Sequence, residues 1–274
     1  MSSPDRIAVL ISTYNAPAFL RLALEGWRAQ HDTRFTLYIA DDGSAQQTAD
    51  LIDEFKHDFP VPIVHIWHED RGFRKARVHN MALVQVEEPY ILLTDGDCIP
   101  LPQMVATHLR LAESGTLISG SRVLLSKGWT ERLCAGEHVD TGASLLYWLA
   151  RRLHGDINRL FPILLPNRLG GSHQRLSGIR GCHLSCWRDD LLHVNGFDES
   201  FEGWGREDSD LVARLFHAGV MRQDLRGMPV LHLWHEEYSR GRLDRNDALL
   251  EACLREKRIR AMRGMAELSE DAHA

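Results

Sequence analysis

The segment Tyr90-Ile91-Leu92-Leu93-Thr94-Asp95-Gly96-Asp97 decides the fold reading, because a short unbroken apolar run ends directly in two carboxylates separated by glycine. Such a run, without polar alternation, reads as a strand buried on both faces, and the acids mark where it reaches solvent. Two hard oxygen donors at that point suit magnesium or manganese, and the glycine lets a bulky anion such as a nucleotide diphosphate approach the backbone. Taken alone, the triplet fits a solvated turn as well as a metal site. Its neighbours along the chain must separate the two.

The same pattern recurs on either side. Apolar runs from Ile7 to Ser12, Thr36 to Ala40 and Ile63 to Trp67 alternate with helical patterns over 17–29, 46–57, 73–86 and 102–112. This alternation predicts an α/β fold with a mostly parallel central sheet flanked by helices. Ligands of such sheets collect at the carboxyl ends of the strands. Thr13-Tyr14-Asn15, Asp41-Asp42-Gly43-Ser44 and Asp95-Gly96-Asp97 each follow a predicted strand, so all three are expected to line one crevice. Any one of them is also explained as turn residues, with Ser44 as a helix N-cap.

Composition bounds the rest. With 274 residues, 44% hydrophobic and 26% charged, the chain is long enough for one α/β domain with an insertion. A formal charge of −6 argues against a general nucleic-acid binder. Five scattered cysteines suit a reducing cytoplasm, with Cys182 and Cys186 read as buried small hydrophobes rather than zinc ligands. The opening Met1 to Arg6 lacks a basic leader region, and no run reaches the length of a membrane span.

Between 121 and 175 the alternation fails. The run Leu145 to Leu153 carries Arg151 and Arg152, and Arg159, Arg168 and Arg175 follow among Phe161, Ile163, Leu164 and Leu165. Two readings stand: an amphipathic segment resting on an anionic lipid surface, or a buried helix with a solvated basic end. The stretch 242–263 reads as a charged helix of the solvated kind.

Two further clusters carry chemistry. In Gly203-Trp204-Gly205-Arg206-Glu207-Asp208-Ser209-Asp210, three acids open a helix continued by Leu211, Val212, Leu215 and Phe216. Acids in a first turn complement the helix dipole, but two glycines around a tryptophan suggest a loop presenting an aromatic face on which a sugar can stack. In His232-Leu233-Trp234-His235-Glu236-Glu237, imidazoles joining Asp97 would favour manganese, although fifteen histidines make a structural pair an equal reading.

Together these motifs resemble the family-2 inverting glycosyltransferases of the GT-A fold. Residues 7–15 look like that family's first strand and uridine loop, Ile39 to Ser44 like its second nucleotide motif, and Glu69 to Ala76 with Asn80 like the segment before its D-x-D strand. Asn195 to Asp198 and Gly203 to Asp208 resemble the carboxyl-terminal part shared by β-1,4-galactosyltransferases and bacterial chondroitin polymerases. The resemblance implies one domain: a Rossmann-like nucleotide-sugar half over 1–120, an acceptor and catalytic half over 121–240 with an insertion near 125–175, and a carboxyl-terminal helix over 241–274.

Carried over by position, Thr13, Tyr14, Asn15 and Asp42 would border the uridine and Asp95 would lie near the ribose and metal, while Arg71 and Lys75, in one segment, could add cationic donors to the diphosphate. Asp97, His235 and His232 would hold manganese or magnesium. The galactosyltransferase pattern has a methionine where this chain has His232, and Ser209 replaces an acid. Asp208 would be the catalytic base with Glu207 beside it, and Trp204 and Asp210 would meet the acceptor. The implied activity is transfer of a hexose or N-acetylhexosamine from a nucleotide sugar, with UDP as the nucleotide, to a hydroxyl of a glycan or glycolipid. Bacterial surface polysaccharide synthesis, in the cytoplasm or peripherally on the inner membrane surface, is the implied setting. A sugar-phosphate nucleotidyltransferase and a non-catalytic carbohydrate-binding module are the alternatives. The first would normally need a glycine-rich basic loop where this chain has Thr13-Tyr14-Asn15.

Overall fold

A computed structural model describes residues 3–236 and 240–271, so Glu237 of the histidine-rich cluster lies outside the described residues. Strands β1 (Ile7–Thr13), β2 (Phe35–Asp41), β3 (Ile63–Trp67) and β4 (Tyr90–Asp95) fall where the apolar runs predict them. Alternate residues of one strand serve two cores, as a period of two dictates. Val9 and Ile11 join Leu37, Ile39 and Leu92 on one face, and Ala8 and Leu10 join Tyr38, Ile91 and Leu93 on the other. Truncating a fully buried leucine such as Leu10 to alanine costs roughly 2–5 kcal/mol.

The remaining strands are β5 (Cys98–Ile99), β6 (Thr116–Ser119), β7 (Arg122–Leu124), β8 (Leu184–Trp187), β9 (Met221–Asp224) and β10 (Val230–His232). Seven form a sheet in the order β3-β2-β1-β4-β8-β6-β9, and β5-β10-β7 form a smaller one. Within the large sheet only β8 runs antiparallel to its neighbours. Register brings Ser12 opposite Asp95 and Thr13 opposite Asp41, so three polar strand ends share one rim. Because β8 is reversed, Leu184 at its start pairs with Leu93 near the end of β4. The preceding turn, Gly181–His183, therefore reaches the same rim.

Three expectations change. The helix predicted over 73–86 spans Lys75–Leu83, because Gly72 turns with φ 86° and the Arg74 N–H is taken by Asp42 before helical bonding begins. The run Leu145–Leu153 is a helix but not a buried one: among its residues only Trp148 is buried, and Leu145, Leu146, Leu149 and Leu153 are exposed. The carboxyl-terminal helix Leu243–Glu256 is not wholly solvated and stops at Lys257, which sits at φ 50°. It buries Asn246 and Cys253, and the Asn246 amide donates to the carbonyls of Glu202 and Gly205, strapping the tryptophan loop.

Candidate functional site

The rim of the large sheet holds the nucleotide-side candidates. The Ser12 hydroxyl donates to Asp95 Oδ1 over 2.7 Å, and the Lys75 ammonium donates to the same oxygen over 2.8 Å. Burial opposes the charge on both, yet Lys75 holds the Asp95 carboxyl at about 2. Asp95, Asp208 and Glu207 in turn keep Lys75 well above the usual lysine range against its own burial. One ammonium thus links the first half of the chain to the acids of the second.

Asp42 is buried and accepts from His68 Nε2 and from the Arg74 N–H, each over 2.8 Å. The Thr13 hydroxyl is buried with no partner among the described residues. Asn15, at φ 46°, accepts from the Ala45 N–H and donates its own N–H to the Ser44 hydroxyl. Ser44 is therefore not the N-cap of the following helix, whose cap position is Ala45. Tyr14 is exposed and donates to Asp70 over 2.9 Å. Arg71 stands at the exposed edge, paired with its neighbour Glu69.

The smaller sheet assembles the ligand set. Pairing of β10 with β5 puts His232 opposite Cys98, and the Leu233 N–H donates to the Asp97 carbonyl. Asp97 Oδ2 lies 3.2 Å from His235 Nε2 and 3.7 Å from His232 Nε2, and one donor atom from each of the three residues falls within 4.8 Å of the others. Each imidazole sets its Nδ1 against a backbone carbonyl, Leu233 at 2.8 Å and Glu236 at 2.7 Å. A carbonyl only accepts, so each Nδ1–H donates to its carbonyl, which turns each Nε2 toward Asp97. A carboxylate oxygen and two imidazole nitrogens converging in this way form a donor set that suits a divalent cation. The donor set fits manganese better than magnesium, because two of its three members are imidazoles.

The acids of the second half arrive on the helix Glu207–His217. Gly203, Gly205 and Arg206 all have positive φ (76°, 102° and 79°), a left-handed path that glycine adopts freely. The N-cap, Arg206, makes no side-chain cap hydrogen bond, and Glu207, Asp208 and Asp210 stand in the first turn, where acids complement the helix dipole. Asp208 Oδ2 accepts the Gly181 N–H over 2.9 Å, while its buried Oδ1 has no partner among the described residues. Burial and the charge of Asp95 raise the Asp208 pKa, against the pull of Lys75 and of Gly181. Burial and then the charge of Asp208 push Glu207 up to about 7. A carboxylate with one oxygen fixed and the other open is arranged to accept a proton.

Trp204 is 38% exposed, with the Arg240 guanidinium 5.5 Å from its ring centre. Asp210, expected at the acceptor, faces inward instead. Its carboxylate accepts from Arg214 Nε over 2.8 Å, and both side chains are fully buried. Arg214 also donates to the carbonyls of Val194 and Gly196, so this pair joins the helix to the preceding turn.

Sequence reasoning missed Ser12, His68 and Gly181. His68 was signalled by the rule that found the others, since it directly follows β3. Gly181 carried no such signal, because its role depends on a contact 27 positions away.

A mostly parallel sheet whose polar strand ends share one rim, with the Asp97, His232 and His235 cluster and an acidic helix start beside it, has the GT-A architecture. The sequence pattern of Glycosyl transferase family 2 matches residues 8–180, and the chain belongs to that family. The pattern described as the N-terminal domain of galactosyltransferase matches residues 170–236, which hold the acidic helix and both histidines. Validoxylamine A glucosyltransferase of Streptomyces hygroscopicus subsp. jinggangensis is 28% identical over 231 residues, covering 78% of this chain and 52% of the relative. Hyaluronan synthase of Pasteurella multocida is 24% identical over 246 residues, covering 82% of this chain and 24% of the relative. The chain thus spans about half, or less, of those relatives' length. Among solved structures, S. aureus TarS 1-349 in complex with UDP superposes with TM-score 0.62 at 13% identity, over 96% of this chain and 68% of that one. The mannosyltransferase PcManGT of Pyrobaculum calidifontis, in complex with GDP-Man and Mn2+, gives 0.56 at 19%, over 96% and 68%.

Proposed function

We propose that this glycosyltransferase moves a hexose or N-acetylhexosamine from a UDP sugar to a hydroxyl of a glycan or glycolipid, with inversion at the anomeric carbon. The observation that carries the reading is the convergence of Asp97, His232 and His235 beside the carboxyl end of β4. Relatives acting as a glucosyltransferase and a hyaluronan synthase, and the UDP complex of TarS, support the donor class.

Asp97, His232 and His235 would hold manganese or magnesium, which supplies positive charge to a departing diphosphate. The Lys75 ammonium adds to that charge from the Asp95 side. Thr13, Tyr14, Asn15 and Asp42 border the base, and Arg71 stands at the outer edge of the same crevice. Asp208 takes the acceptor hydroxyl's proton on Oδ1 as that oxygen bonds to the anomeric carbon. The bond to the diphosphate breaks, and its electron pair leaves with the nucleotide. Glu207, beside Asp208, holds an acceptor hydroxyl, and Trp204 offers its exposed face to a sugar ring. The nucleotide-sugar half over 1–120, the acceptor half over 121–240 and the strapping carboxyl-terminal helix act as one domain.

The setting we favour is surface-polysaccharide synthesis at the cytoplasmic face of a membrane. Among the described residues no helix is long and apolar enough to cross a membrane. The helix Leu145–Leu153 nevertheless exposes four leucines, Phe161 and Leu164 are exposed beyond it, and Arg152, Arg159 and Arg168 are exposed beside them. Apolar residues flanked by cations suit an anionic lipid surface. Flotation with phosphatidylglycerol vesicles should be lost in Leu146→Asp with Leu153→Asp.

The deciding experiment for the activity is a calorimetric screen of nucleotide sugars with manganese present, followed by UDP-release assays with candidate acceptors. Tight binding of one UDP sugar, abolished by chelator, is the expected result. Indifference to both nucleotide and metal would remove the reading.

A further inference from the structure

Two hollows of about 320 and 280 Å³ lie side by side next to the tryptophan loop. The first is lined by Trp204, Gly203 and Arg242, the second by Arg77, Glu199 and Arg263, and both share Arg71, Arg74 and Glu202. Their walls carry five arginines and two glutamates, with Arg71 also paired to Glu69 at the edge, in a chain whose formal charge is −6. Each glutamate is already divided between two cations. Glu199 pairs with Arg77 at 2.9 Å and Arg263 at 3.8 Å, and Glu202 pairs with Arg242 and with Arg245. Arg74 donates to the Glu69 carbonyl, while its buried Nε has no hydrogen-bond partner among the described residues.

The groove also has a defined relation to the chemistry. The Gly203 N–H donates to the Phe73 carbonyl, joining the tryptophan loop to the segment that carries Arg71 and Arg74. Lys75 follows on that segment, and Asp208 follows on the loop. The groove is therefore lined by the two segments that lead into Lys75 and Asp208. Guanidinium groups recognise carboxylate, phosphate and sulfate through paired N–H donors.

We infer that this groove is an acceptor subsite for an anionic glycan, with Arg74 and Arg263 engaging an oxyanion borne by a sugar unit behind the one that reacts. This rests on the transferase reading above and narrows its acceptor class. The local field also steers such a chain in, an effect that ionic strength screens over about 8 Å at physiological salt.

The test uses the full chain with manganese and UDP, and titrates three soluble probes of matched length. These are a glucuronate-bearing oligosaccharide, a glycerol-phosphate oligomer and a neutral glucose oligosaccharide. At least one anionic probe should bind about tenfold more tightly than the neutral one, and should weaken as salt rises. Arg74→Gln and Arg263→Gln should each cost that probe about fivefold or more in affinity, with UDP affinity unchanged and Arg263→Lys recovering part of the loss. Equal binding of neutral and anionic probes would overturn the inference, as would unaltered binding by both folded variants. A loss of UDP affinity in Arg74→Gln would reassign that guanidinium to the donor. Failure of the anionic oligomers, with phosphatidylglycerol vesicles binding through Arg74 and Arg263, would reassign the groove to a membrane. If wild-type protein does not bind UDP, the transferase reading falls and this subsite falls with it; if UDP binds and anions do not, only the subsite is lost.

Discussion

The proposed nucleotide side and acceptor side of this crevice are built by different means. On the nucleotide side, Thr13, Asp42 and Asp95 stand at or just beyond the ends of adjacent parallel strands, so sheet register alone sets them side by side. On the acceptor side, Trp204 on a left-handed loop and Asp208 in the helix turn that follows it are fixed in place by remote polar contacts. Those contacts are the Gly181 N–H on Asp208, the Phe73 carbonyl on Gly203, and the Asn246 amide on Glu202 and Gly205. A sheet rim tolerates substitution of any one side chain without moving its neighbours. A strapped loop does not, and chemistry carried on it is sensitive to residues that touch no substrate.

The contrast can be broken at several points. Asp208→Asn should lower transfer by roughly 10²–10⁴-fold while donor binding stays intact, because it removes the base without disturbing the rim. Comparable turnover would take Asp208 out of that role. Gly181→Ala should lower kcat by about 10²-fold with UDP affinity unchanged. Its backbone is not left-handed, but a Cβ there would stand 2.2 and 2.3 Å from the Asp208 oxygens and must displace them. A variant with wild-type kcat would mean that the carboxylate is not held where its function requires.

Two smaller effects fall on stability. Asn246→Ala removes two part-buried hydrogen bonds to the tryptophan loop and should cost about 1–3 kcal/mol, with a raised acceptor KM and an unaltered donor KM. Chemical denaturation and steady-state kinetics read both. Glu207 is raised from 4.5 to about 7 by burial and by Asp208, with Lys75 pulling the other way and Asp95 adding to the rise. The native state therefore binds its proton more tightly than the unfolded chain does. This group's contribution is most favourable below about pH 4.5 and declines as pH rises to about 7. Glu207→Gln should gain about 1–3 kcal/mol over wild type at pH 8 and nothing at pH 4. A gain that is the same at both pH values would contradict this.

The same contrast explains what could be read from the sequence. Strand runs such as Ile7 to Ser12 and Tyr90 to Thr94 fix their own burial, and polar clusters that follow them fall on the rim by topology. The histidine pair was reached through the family resemblance rather than the pattern, because what sets His232 beside Asp97 is the pairing of β10 with β5, two strands too short to read from periodicity. Asp210 misled because acids one to four positions into a helix look alike in sequence, while helical rotation sends Asp208 to the crevice and Asp210 to Arg214. The carboxyl-terminal helix misled because its charged surface conceals a single inward asparagine, Asn246, whose partners are 41 and 44 positions away. Periodicity does not encode contacts of that kind.

The claim on which the rest depends is that Asp97, His232 and His235, donated by two segments far apart in sequence, hold one divalent cation beside the nucleotide. Pulsed electron paramagnetic resonance of manganese(II) bound with UDP tests it directly. The account predicts nitrogen couplings from two imidazoles, with one lost in His232→Ala and the other in His235→Ala. A manganese–UDP complex with no imidazole coupling, or with couplings that survive both substitutions, would contradict it.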